Sequence, residues 1–231
     1  MSIGYVNAAI AYVSSNTAIS ITHGLTLADG DVLVALISNN NASGSQTMTS
    51  DSSLFTQNYL GKQGATQTGA IAIFSRYITT ASGEPSAYAW TQSSAVSATV
   101  QLFQFSGVDA TIWDVAPASG NFTAGTTSGA SESITAPSIT IGTGGAMGLL
   151  MAAAVSSSLA FSAPTNSYGD LISYTPGSGR AQAMARRAAL STGATGTSSM
   201  TQSLADDYGI CQCSLKAFSL FTGLTVTHLV G

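Results

Sequence analysis

The sequence predicts an all-β protein built as an antiparallel two-sheet β-sandwich with an internal two-fold sequence repeat. Three observations carry this. No long window shows the i, i+3, i+4 apolar spacing, end caps and charged outer face of an amphipathic helix. Short runs rich in β-branched and aromatic residues recur instead, punctuated by Gly, Ser, Asn and Pro. The second half also repeats the strand plan of the first. Trp90-Thr91-Gln92-Ser93 returns as Met200-Thr201-Gln202-Ser203, and Arg76 is answered by Arg186, both at a separation of 110 residues.

Taken in order, the first half offers strands at residues 5–13, 18–21, 32–38, 55–62, 69–78, 87–91 and 98–106. The second offers 132–141, 147–155, 171–174, 180–188, 197–202 and 208–218. Asp29-Gly30 suits a tight hairpin turn, because Gly tolerates φ > 0 and Asp bonds its own backbone. Residues 81–85 and 190–196 fill matching places before the strands at 87–91 and 197–202. Residues 110–131, rich in Ser, Thr, Gly and Ala, read as a crossover between halves 1–109 and 132–219. That crossover is short and carries Trp113 and Phe122, so residues 1–219 are expected to form a single domain. A strand set with two apolar faces buries both by pairing with its copy.

Residues 220–231 stand outside the repeat. They contain no charge, and Leu224, Val226 and His228 alternate with Thr225, Thr227 and Leu229. The expectation is either a last strand or a docking arm that pairs with, or packs on, a neighbouring subunit. Its contact residues would be Leu220, Phe221, Leu224, Val226, His228, Leu229 and Val230. An apolar stretch left in water is an aggregation hazard and needs a cover.

Composition narrows the function classes. Only 7% of residues are charged, against roughly 25% in an ordinary soluble domain. With 45% hydrophobic residues the chain has apolar surface enough to pack, so disorder is not expected. Six basic residues are scattered apart from Arg186-Arg187, and the net charge is −4; no nucleic-acid partner is expected. Met1-Ser2-Ile3-Gly4 shows no basic or apolar leader, so no secretory signal is expected. Residues 139–161 are uncharged, but polar interruptions cut the apolar part below the ~20 residues of a spanning helix. A buried strand is expected there, and no membrane partner.

Chemistry is sparse in the sequence. Cys211 and Cys213 are two apart in a strand and share a face, a poor geometry for a mutual disulfide and a good one for two small core residues. His23 and His228 are the two histidines, so a metal centre is not expected, nor a Ser-His-acid triad, nor a cofactor. Asp170, Asp206 and Asp207 are the available carboxylates for glycoside hydrolysis, but turn positions explain all three. Asp29 and Asp31 offer oxygen ligands to calcium, and a turn accounts for them equally. Gly142-x-Gly144-Gly145 joins two strands and lacks the helix that makes a phosphate loop. Trp113, Tyr168 and Tyr59 are candidate glycan contacts if their rings are exposed; Trp90, inside its strand, is expected in the core.

The order of Gly30-Asp31-Val32-Leu33-Val34, the Tyr77 strand with Ala81-Ser82-Gly83-Glu84-Pro85, Tyr88-x-Trp90, Phe105-Ser106-Gly107-Val108-Asp109, Trp113-Asp114 and Ala136-Pro137-Ser138 is a recognisable one. It resembles a family of jelly-roll-like β-sandwich proteins of tailed-phage virions, over residues 18–219. The sequence departs from that family's second-half turn at Gly144-Gly145-Ala146-Met147-Gly148. The resemblance implies a non-enzymatic bacteriophage virion structural protein, assembled in the host cytoplasm: a capsid-decoration or head-fibre protein docking on the major capsid protein or another virion protein, and a homo-oligomer. The alternative it implies is a tail-associated module that binds a host-surface glycan.

Overall fold

The computed structural model describes residues 2–40, 47–64, 68–175 and 179–219. Seventeen strands and three 3-10 turns make up the described part, and every strand pairing is antiparallel. The first half contains β1 (Gly4–Thr22), β2 (Val32–Asn39), β3 (Met48–Ser50), β4 (Thr56–Gln63), β5 (Gly69–Tyr77) and β6 (Ala87–Ser106). β7 (Val108–Val115) and β8 (Phe122–Thr126) follow. The second half contains β9 (Glu132–Ala136), β10 (Thr140–Ile141), β11 (Ala146–Ala154), β12 (Phe161–Ser162), β13 (Gly169–Tyr174), β14 (Gln182–Leu190), β15 (Gly193–Ala194), β16 (Ser198–Gln202) and β17 (Asp207–Ala217).

Two large sheets face each other, with orders β1-β6-β2-β5-β4 and β13-β14-β11-β17-β7; β8 also pairs with β17. Their middle strands, β2 and β11, are uncharged because both faces are covered. Along β2, Val32, Val34 and Leu36 enter the core shared with the second sheet, while Leu33, Ala35 and Ile37 enter a core on the outer side. β11 divides likewise: Leu149, Met151 and Ala153 face the shared core, and Leu150, Ala152 and Ala154 face the other way. The period of two thus serves two cores at once.

The outer cores are closed by thin layers. On the first half β1 and β6 continue past the large sheet and fold over it, joined by β3, so Ile19, Ile21, Trp90 and Met48 cap the outer face. On the second half a separate sheet, β12-β16-β9, brings Phe161, Met200 and Ile134 to the same duty. The sequence predicts the antiparallel sandwich; the structure adds these two thin layers, making four in all. The strand order β6-β2-β5-β4 in one half parallels β17-β11-β14-β13 in the other.

The corner in the first half has an identifiable cause. The register of β1 against β6 slips between Val13 and Asn16 and again before Ala18, and Ser15 takes φ 46°. Bulges of this kind bend a strand. Gln92, 1% exposed, pins the bend by donating to the Asn16 carbonyl (2.6 Å) and the Val96 carbonyl (2.8 Å) while accepting from Asn39 Nδ2 (2.9 Å). Gln202, fully buried, donates to Thr127 Oγ1 and to the Asp206 carbonyl, both at 3.3 Å. The two glutamines of the repeated tetrapeptide are therefore structural.

Several expected elements are corrected. Residues 5–13 and 18–21 are one strand, as are 87–91 and 98–106, because the bulged corner keeps the pairing continuous. The expected strand at 132–141 breaks after Ala136, where Pro137 removes an N–H. The expected crossover, 110–131, holds the body of β7 and all of β8, and both pair with β17. Asp29-Gly30 does make a tight turn, with Gly30 at φ 86° and Asp31 N–H donating to the Ala28 carbonyl at 3.1 Å. The strands it joins are not hairpin partners, since β6 lies between β1 and β2. Residues 139–161 contain β11, and no helix among the described residues is long and apolar enough to cross a membrane.

Candidate functional site

The described chain ends on an apolar rim. Phe218 follows β17, is 37% exposed, and donates its N–H to the Gly107 carbonyl at 3.0 Å. Gly107, at φ 71°, lies so close to the Ser2 carbonyl that a Cβ there would clash, so the start of β1 and the end of β17 share this rim. A shallow cleft of about 340 Å³ opens beside it, lined by Asp29, Gly30, Tyr77, Val108 and Phe218 among others. Its two acids are engaged: Asp29 Oδ1 accepts from Ala81 N–H (2.7 Å), and Asp31 Oδ2 accepts from Ala28 N–H (2.8 Å) and Gln104 Nε2 (2.6 Å). Those bonds account for the Asp29-x-Asp31 pattern. The arm residues Leu220, Phe221, Leu224, Val226, His228, Leu229 and Val230 lie outside the described residues.

The three aromatic candidates do not form one platform. Tyr168 is 4% exposed in the outer core of the second half, and its hydroxyl donates to Gln212 Oε1 at 3.1 Å, which leaves no open ring face. Tyr59 and Trp113 are half-buried against the shared core instead. Tyr59 packs on Phe122 with ring centres 4.8 Å apart, and burial pushes its hydroxyl pKa up to about 12. Trp113 Nε1 donates to Ser75 Oγ at 3.2 Å across the two large sheets. Both rings act as packing surface where β4 and β5 meet β7 and β8.

One connected polar cluster has no counterpart among the sequence motifs. Glu84 accepts Arg76 Nε at 2.8 Å and Nη2 at 2.6 Å, and also the Tyr88 hydroxyl at 2.8 Å. Arg76 Nη1 donates to the Leu54 carbonyl at 2.7 Å. Burial pushes the Glu84 carboxyl up, but the bonds from Arg76 and Tyr88 and the Arg76 charge outweigh it and hold the group below its ordinary value. Arg76 was visible only as a repeat marker and Glu84 only as a loop residue, and no spacing rule joins them. His23 stacks on Tyr88 and lines a cleft of about 260 Å³ with Glu84. Leu25 N–H donates to His23 Nδ1 (3.0 Å), and Nε2 bonds the Pro85 carbonyl (2.9 Å), so both ring nitrogens are occupied.

The remaining titratable groups are dispersed. Asp170 is exposed and pairs with Arg186 at 3.1 Å. Asp206 is pushed up by burial and accepts from the Ser156 N–H. Asp207 accepts instead from the hydroxyls of Thr68 and Thr126. Cys211 and Cys213 are free thiols, both fully buried in the shared core. No group of three or more His, Cys, Asp or Glu side chains converges among the described residues. Comparison with family models, with curated proteins and with solved structures finds no match.

Proposed function

We propose that this chain is a non-enzymatic structural protein of a bacteriophage virion, a capsid-decoration protein that docks on the shell through its uncharged C-terminal segment. The observation that carries the docking role is Phe218, a large apolar residue 37% exposed at the end of β17, which hands over to thirteen residues without a charge. The virion context rests on the sequence resemblance. The rest of the molecule suits a rigid spacer: three cores occupy the space between four layers, and the clefts are shallow. Attachment through apolar burial and main-chain pairing resists salt, because screening acts on charges.

The test is location and occupancy. Gold-labelled antibody on purified particles should mark the head, and deletion of residues 220–231 should abolish occupancy in both low and high salt. Label confined to the tail, or a truncated chain that still fills the head, overturns the proposal.

A further inference from the structure

The outer edge of β1 is unlike the other edges of the two large sheets. β4 carries Lys62, β13 carries Asp170, and β7 carries Asp109 and Asp114. The uncharged β8 is five residues long. β1 runs for 19 residues without a charge or a proline, and among the described residues it pairs on one side alone, with β6. Charges, prolines and shortness are the usual guards of an open edge, and β1 has none of them. Bulges do interrupt it, at Tyr5/Asn7 and from Val13 onward, but between them residues 7–13 form an unbroken seven-residue ladder. Along this stretch Ile10 is 38% exposed, with Val6 just before it at 48%. The Ala8 N–H there is held by the side chain of its own neighbour, Asn7 Oδ1, at 2.9 Å.

We propose that residues 224–230 of one copy add as a strand to residues 7–13 of β1 in a second copy, joining molecules head to tail. Three features select this occupant. The uncharged stretch 224–230 is seven residues long, about 23 Å extended, as is the ladder. Both strands are free of Asp, Glu, Lys and Arg, so no charge is desolvated when they meet. The chain also leaves the described structure at Ser219, next to Phe218 on the rim where β1 begins, so donor and acceptor ends lie at one end of the body and five residues (219–223) separate Phe218 from the donor. Such a contact is heterologous and propagates, which suits a surface array.

This rests on reading the C-terminal segment as the docking element, and it is tested on purified protein without particles, so either idea can fail alone. Light scattering at micromolar concentration should show the full chain as oligomers, and Ile10→Lys and the 220–231 deletion each as monomers. Mixing the two variants leaves one intact donor and one intact acceptor, and should give a one-to-one heterodimer. A monomeric full chain, an oligomeric deletion variant, or a mixture that stays monomeric while both keep native circular dichroism overturns the proposal. Should Ile10→Lys not fold, a thiol test replaces it, because the native cysteines are buried. Ile10→Cys chains mixed with Leu224→Cys, Val226→Cys or His228→Cys chains should form an intermolecular disulfide in at least one pairing; none in all three overturns it.

Discussion

Removing the Glu84 carboxylate should cost more than a surface ion pair would, and should flatten the acid limb of stability. The side chains of Arg76 and Glu84 are 19% and 5% exposed, so neither is fully screened by water. Truncation of one partner of a buried pair costs about 3–5 kcal/mol, because the other charge is left uncompensated. Arg76 keeps some solvent and its bond to the Leu54 carbonyl, which puts Glu84→Ala at the lower end, about 3 kcal/mol. In a chain of this size that is roughly 6–12 °C in Tm. Glu84→Gln retains an acceptor for Tyr88 and one for Arg76 and should lose about half as much. The sign with pH follows from the lowered carboxyl: its contribution is complete above the ordinary glutamate value of 4.5 and is lost as pH falls below that through the folded-state pKa. Urea unfolding midpoints from pH 7 to 3 should therefore converge for wild type and Glu84→Gln at the acid end. A Glu84→Ala cost under about 1 kcal/mol, or a wild-type–Glu84→Gln gap that stays constant to pH 3, would refute the reasoning.

Two further outcomes test the packing. A Cβ at Gly148, in the middle of the second large sheet, would lie 2.6 Å from Tyr168 Oη and 3.0 Å from Leu190 Cδ1, so Gly148→Ala should destabilise by about 1–3 kcal/mol in urea titration. Gly83→Ala, with open space around the site, should be neutral or gain about 0.4–1 kcal/mol, and equal midpoints for the two variants would contradict the packing described. Cys213 is buried, and desolvation together with neighbouring Cys211 raises its thiol pKa; native protein should take up no thiol reagent until urea unfolds it, when two equivalents should react. Uptake by the folded chain at the rate of free cysteine would show that the shared core is open.

What the sequence disclosed and what it withheld follow one physical line. Central strands such as β2, β5 and β11 were plain because burial on both faces demands an unbroken apolar run. Cys211 and Cys213 were assigned to one core face by the period of two alone, and both face the shared core. The edges and corners were not plain. β7 and β8 are half-exposed and carry Asp109, Asp114 and Gly125 among their apolar residues, so no unbroken apolar run marks them, and both pair with β17. The same holds for side chains whose partners lie far along the chain. Tyr168 looked like a loop aromatic because its neighbours are Ser, Gly and Asp, but its hydroxyl meets Gln212, 44 residues on. The Glu84 network draws on three segments, so it too was invisible before folding.

The scarcity of charge has opposite consequences in the interior and at the rim. Inside, it lets β2, β5, β11 and β17 bury both faces, so that one large sheet serves two cores. Most polar groups that remain inside are amides and hydroxyls, and some of them bond across the halves: Gln182 Nε2 reaches Ser38 Oγ at 2.8 Å and the Thr99 carbonyl at 3.0 Å, tying the halves together without an ion pair. At the rim, the same composition leaves β1 without a charge of its own and Phe218 37% exposed. An isolated soluble protein gains nothing from an open, uncharged strand edge, because that edge templates aggregation. A protein that works in a fixed array gains a salt-independent joint from it. The absence of guarding charges on β1 is therefore better explained by a contact that uses the edge than by composition alone, since β4, β13 and β7 in the same chain do carry them.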